Sequence, residues 1–101
     1  MSIPSGQRNL NITVTNAAIT NASAQCLAAS TTRFGLIFHN PNAAGNISIV
    51  PTSFGAAVSA GGGTLTLIPG ASIQIDGLRT LDAFNAIASV AGPIPLTIWE
   101  F

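Results

Sequence analysis

Between Thr64 and Gly77 the chain reads TLTLIPGASIQIDG, and apolar and polar positions alternate on both sides of Pro69-Gly70. Leu65 and Leu67 alternate with Thr64 and Thr66; Ile73 and Ile75 alternate with Ser72, Gln74 and Asp76. A period of two is that of half-buried strands, whose side chains point to opposite faces in turn. Proline presets φ at the second position of a turn and glycine accepts a positive φ at the third, so Pro69-Gly70 marks a break between two strands. A tight hairpin closed on these two residues would pair Leu67 with Ser72 and Thr66 with Ile73, apolar against polar on each face. Two arrangements avoid that conflict. A three-residue loop, Pro69 to Ala71, sets Leu67 against Ile73 and Leu65 against Ile75; alternatively the chain changes sheets at this corner.

The same period recurs along the chain. Leu10, Ile12 and Val14 alternate with Asn11, Thr13 and Thr15, which predicts a strand from Asn9 to Thr15. Residues 16–30 are rich in alanine, but interspersed Asn, Ser and Thr compete for backbone hydrogen bonds and disfavour a helix; one short strand is expected near Ala24 to Leu27. Arg33 to Asn40 is apolar on both faces, with Phe34, Leu36 and Phe38 on one side and Ile37 on the other. It is expected to be a central strand covered on its second face by a partner, and stopped by Asn40-Pro41. Asn46 to Val50, closed by Pro51, places Ile47 and Ile49 on one face. Residues 83–90 fit a strand or a single helical turn, their small side chains favouring strand. The last strand, Pro95 to Phe101, turns Leu96 and Ile98 one way and Thr97, Trp99 and Phe101 the other. About eight short strands separated by Gly, Pro and Asn turns, without a convincing helix, predict an all-β antiparallel β-sandwich or jelly roll over residues 9–101. Residues 1–8, which lack a core-facing pattern, form an N-terminal arm.

Charge changes the picture more than length does. The 101 residues hold three arginines (Arg8, Arg33, Arg79), three carboxylates (Asp76, Asp82, Glu100) and no lysine. Spread over the roughly 5300 Å² that a compact chain of this mass exposes, that is about one charge per 900 Å². Such a surface has little repulsion to oppose association. With zero net charge and no basic patch, the electrostatic footprint of a nucleic-acid binder is absent. No apolar run approaches a membrane helix, and the N-terminus MSIPSGQRNL lacks an apolar signal core, so a soluble chain made in a cytoplasm is expected.

Candidate chemistry is sparse. His39 and Cys26 are each the single residue of their kind, too few for a zinc site, and His39 reads as a strand-end residue capping a loop or lying at an interface. Cys26, in an alanine-rich strand without an adjacent cation, is expected to be a small buried hydrophobe. No two carboxylates are spaced as a glycosidase pair, Gly55 to Gly63 lacks the lysine and helix of a phosphate loop, and no nucleophile elbow accompanies the serines. No enzyme activity, metal or cofactor is expected. The outward pair Trp99 and Phe101 is the candidate anchor of a buried contact, with Arg33 and Arg79 at its rim, unless a second sheet covers the two aromatics.

The segments RFGLIFHNP (Arg33 to Pro41), NISIVP (Asn46 to Pro51), LIPGASIQIDG (Leu67 to Gly77), AIAS (Ala86 to Ser89) and PLTIWE (Pro95 to Glu100) together resemble small β-sandwich virion proteins of tailed bacteriophages. That resemblance covers residues 33–100 and rests on strands and turns. It implies a decoration or cement protein on the capsid exterior, usually a homotrimer bound to the major capsid protein or another virion protein, or a head or tail accessory protein. A small carbohydrate- or peptide-binding β-sandwich is the competing expectation.

Overall fold

The computed structural model describes residues 12–59, 61, 63–77 and 81–101. The arm at residues 1–8, the first residues of the expected strand at Asn9, and Arg79 lie outside the described residues. Among the described residues eight strands are formed: β1 (Thr13–Ile19), β2 (Ala24–Leu27), β3 (Leu36–His39), β4 (Ile47–Pro51), β5 (Leu65–Leu67), β6 (Ser72–Ile75), β7 (Phe84–Ala88) and β8 (Ile94–Glu100), with a 3-10 turn at Thr52–Phe54 after β4. They build two four-stranded sheets in the orders β1-β8-β3-β6 and β2-β7-β4-β5, and every pairing is antiparallel. Every connection except β4 to β5 crosses from one sheet to the other. This interleaving is the jelly-roll arrangement of a β-sandwich.

The core is the set of inward-facing positions that the alternation selects. Leu36, Phe38, Leu96 and Ile98 from the first sheet meet Ile47, Ile49, Leu67, Phe84, Ala86 and Ala88 from the second. Across the layers the rings of Phe38 and Phe84 lie 5.0 Å apart at a tilt of 56°, a favoured aromatic geometry. Ala86 and Ala88 leave room for the larger side chains opposite, as close packing requires.

Pro69-Gly70 is the corner at which the chain changes sheets: β5 pairs with β4, whereas β6 pairs with β3. Gly70 takes φ 82°, the left-handed conformation open to glycine, and its N–H donates to the Asn40 carbonyl at 2.8 Å. Leu67 is buried but Leu65, expected in the core, is exposed: β5 is the edge strand of its sheet, and Leu65 lines an open gap beside β6. Two further expectations need correction. β1 continues through Asn16, Ala17 and Ala18 to Ile19, since the seven residues of β8 pair along its whole length; strand pairing overrides weak local preference. Conversely, β3 starts only at Leu36. Phe34 is exposed, and the N–H groups of Phe34 and Gly35 both donate to the Phe101 carbonyl.

The two sheets differ on their outer faces. On the second, Ser48 and Val50 of β4 are buried although they point away from the core. The segment after β4 returns across this side, where Asn85 Nδ2 donates to the Gly55 carbonyl and Ala57 N–H to Ser23 Oγ, both at 2.9 Å. The first sheet carries no such cover among the described residues.

Candidate functional site

The bare face of the first sheet is organised by register. Val14 pairs with Trp99, Trp99 with Ile37, and Ile37 with Gln74, so these four outward side chains form one row across β1, β8, β3 and β6. Asn16, Thr97, His39 and Ser72 form the next row. On the other side, continuing the β1–β8 register by one residue sets Ile12 beside Phe101. The face therefore divides into an apolar half (Ile12, Val14, Ile37, Trp99, Phe101) and a polar row held by its own hydrogen bonds. Thr97 Oγ1 donates to Asn16 Oδ1 at 2.9 Å, and His39 Nδ1 lies 2.6 Å from Ser72 Oγ. Trp99 and Val14 are 42% and 54% exposed. Leu96 and Ile98 point into the core, and the second sheet lies behind them, leaving Trp99 uncovered. A depression of about 260 Å³ is lined by Ile37, His39, Ser72, Thr97 and Trp99.

Phe101 shares this face but is half-buried, its ring lying over Gly35, where a Cβ would come within 2.5 Å of it. A side chain at position 35 would push the Phe101 ring aside. Phe101 N–H donates to the Gly35 carbonyl, closing the strand end.

Arg33 is corrected from a rim residue to a buried one. Its side chain is 3% exposed; Nη1 donates to Glu100 Oε2 at 2.9 Å and Nη2 to the Asp82 carbonyl. A guanidinium suits this position because its planar fork serves two acceptors at once. The pair ties the entry of β3 to the ends of β8 and of the loop before β7. Sequence reasoning could not find it: Arg33 and Glu100 are 67 positions apart. The same holds for Asn40, which is fully buried and was expected only to stop a strand. Its Nδ2 donates to the carbonyls of Gly45 and Leu67, each at 2.9 Å, while its Oδ1 accepts from Asn42 N–H and Nδ2.

Cys26 sits at a bulge, where the β2–β7 register shifts between Gln25 and Leu27. Its Sγ lies 3.5 Å from the Phe84 carbonyl, and burial pushes the thiol up to about 12. It is half-buried against the core, the setting of an unreactive thiol. His39 ends β3 and spends one ring nitrogen on Ser72. Among the described residues no three of His, Cys, Asp and Glu come together as metal ligands, and no helix is long and apolar enough to cross a membrane.

A second apolar gap, of about 400 Å³, opens where the edges β5 and β6 face each other. Ile49 and Phe84 lie deepest, with Phe54, Leu65 and Ile75 around them and Gln74 and Asp76 on the β6 side.

No known protein family matches the chain, and no curated protein does. Among solved structures it is similar to the stem and receptor binding domain of the spike protein P1 from bacteriophage PM2, with a TM-score of 0.55 at 14% identity. The similarity covers 79% of this chain and 29% of that one, so the chain spans under a third of the length of its structural neighbour. At this identity the likeness is one of fold.

Proposed function

We propose that this protein is a structural component of a bacteriophage virion, a capsid decoration or cement subunit that acts as a homotrimer and attaches to the major capsid protein through the outer face of its first sheet. The observation that carries this is the uncovered apolar half-face around Trp99. A contiguous apolar patch on a sheet whose counterpart is covered is the usual mark of a contact with another protein. The charge count supports it: Arg33 is already buried against Glu100, so few charges are left to keep neighbouring molecules apart. The phage spike fold at low identity is compatible with a virion setting and brings no binding residue with it. The proposed role is binding alone, without catalysis, metal or cofactor.

A second function is favoured by one specific feature. The depression beside Trp99 joins an exposed indole to His39, Ser72 and Thr97, a combination suited to stacking and hydrogen bonding a sugar ring, as in an adhesin of the head or tail. Quantitative mass spectrometry of purified particles separates the two. A decoration subunit is present in many copies, in fixed ratio to the capsid protein. Its absence from particles would refute the proposal, and a few copies per particle together with glycan binding by the isolated protein would favour the adhesin.

A further inference from the structure

β5 and β6 are the edge strands of the two sheets, and between them the core lies open. The gap holds about 400 Å³, far more than the voids a close-packed interior leaves. Ile49 and Phe84 floor it, and Leu65 and Phe54 stand exposed at its mouth. The exposed Asp76 places a carboxylate on the rim. An occupant that fits this gap is a short apolar segment with a cation close beside it.

The chain itself carries such a segment. Residues 1–11, MSIPSGQRNLN, lie outside the described residues and combine Ile3 and Pro4 with Arg8, their single charged side chain. They lead into β1 at the end of the sandwich where the gap opens. Thr13 pairs with Glu100, Glu100 with Leu36 and Leu36 with Ile75, so the start of β1 and the end of β6 lie on one row. Crossing that row spans three strand spacings, about 14 Å. Arg8 precedes Thr13 by five residues, ~16 Å of extended chain, and Ile3 precedes Arg8 by five more. Chain length therefore brings Arg8 level with Asp76 while Ile3 reaches the gap. Leu10 lies too close to Thr13 to do so.

We propose that residues 3–8 of this chain cross the end of the sandwich and close the gap between β5 and β6, with Ile3 and Pro4 against Ile49, Leu65 and Phe84 and the Arg8 guanidinium beside the Asp76 carboxylate. Burial of Ile3 and cover for Leu65 drive the docking. The ion pair is exposed, so it sets the position of the segment and adds little affinity. Proline suits a place beside an edge strand, because it brings no N–H that needs a partner. The route runs past the strand ends, so the outer face around Trp99 stays open.

Disulfide trapping in the full chain tests this with two pairs, Ser5→Cys plus Gln74→Cys and Ser5→Cys plus Val14→Cys, each built on Cys26→Ala so that no other thiol competes. Gln74 and Val14 are both exposed, so the fold is preserved. An undocked segment closes the short loop from position 5 to 14 more readily than it reaches position 74. A docked one holds position 5 beside β6, beyond the reach of a disulfide to Val14→Cys. On mild oxidation the 5–74 bond is expected to form within one chain at least ~10-fold faster than the 5–14 bond, seen as tryptic peptide 1–8 joined to peptide 34–79. Adding Ile3→Asp should slow the 5–74 bond by about 10-fold, the equivalent of one buried aliphatic side chain. A 5–14 bond that forms as fast as the 5–74 bond, or no 5–74 bond at all, would overturn the docking. A 5–74 bond that joins two chains would overturn the route within one chain and assign the gap to the segment of a second copy. An unchanged rate with Ile3→Asp would overturn Ile3 as the anchor.

Discussion

Replacing Asn40 by alanine removes both donors that hold the corner between β3 and β5. Asn40 is fully buried, and its Nδ2 serves the Gly45 and Leu67 carbonyls, each at 2.9 Å. Alanine leaves both carbonyls without this partner and takes away the acceptor that positions Asn42, whose Nδ2 also reaches the Pro95 carbonyl at 2.9 Å. A buried polar group left unsatisfied costs about 1–3 kcal/mol. Two carbonyls, one of them only partly enclosed, bring the expected loss to about 3 kcal/mol. For a domain of this size each kcal/mol lowers Tm by roughly 4–8 °C, so a fall of at least ~12 °C is expected. Asn40→Asp keeps the shape but cannot donate when ionised, and it should be no more stable than the alanine variant at neutral pH. Thermal unfolding followed by circular dichroism measures both. A Tm within ~5 °C of wild type for Asn40→Ala, or an aspartate variant clearly more stable than it, would show that the hydrogen bonds of Asn40 do not hold this corner.

Two further outcomes follow from buried groups. Burial raises the Cys26 thiol to about 12 from an ordinary 9.0, so the folded state favours the neutral thiol and its contribution is complete below pH 9. It is lost as pH rises from 9 toward 12, by the order of 2 kcal/mol near pH 10.5. Cys26→Ala should flatten that part of the stability profile, and native Cys26 should react with a thiol reagent far more slowly than in urea; equal rates would contradict its burial. Arg33→Ala leaves Glu100 without its cation and the Asp82 carbonyl without that donor, at an expected cost of about 3 kcal/mol in urea unfolding, while particle binding by the folded protein stays unchanged. Lost binding without lost stability would return Arg33 to an interface role.

Much of this architecture is written locally. The alternation in LIFH, ISIV and PLTIW fixes which side chains enter the core, because one residue of slip would turn each strand over. Pro69-Gly70 announces a break, and of the two arrangements compatible with its register the structure adopts the sheet change. What is not legible is long-range. Nothing near Ala17 and Ala18 signals that β8 will extend β1, and nothing near Arg33 signals Glu100. The outward direction of Trp99 follows from alternation alone, but that Ile37, His39 and Ser72 share its face depends on strand order, which hydrophobic period does not encode. Likewise, Val50 and Trp99 both occupy outward positions, and only the path of the chain after Pro51 buries the one and leaves the other bare.

The virion role stands or falls on that bare face. Trp99→Ala should fold with an unchanged circular dichroism spectrum and a Tm close to wild type, since the indole contributes little to the core. In co-sedimentation with capsids that lack this protein, its affinity should drop roughly 30-fold, the equivalent of about 2 kcal/mol for a truncated aromatic anchor. Undiminished binding by a folded Trp99→Ala variant, or a wild-type protein that does not sediment with capsids at all, would contradict the assignment of this face to capsid attachment.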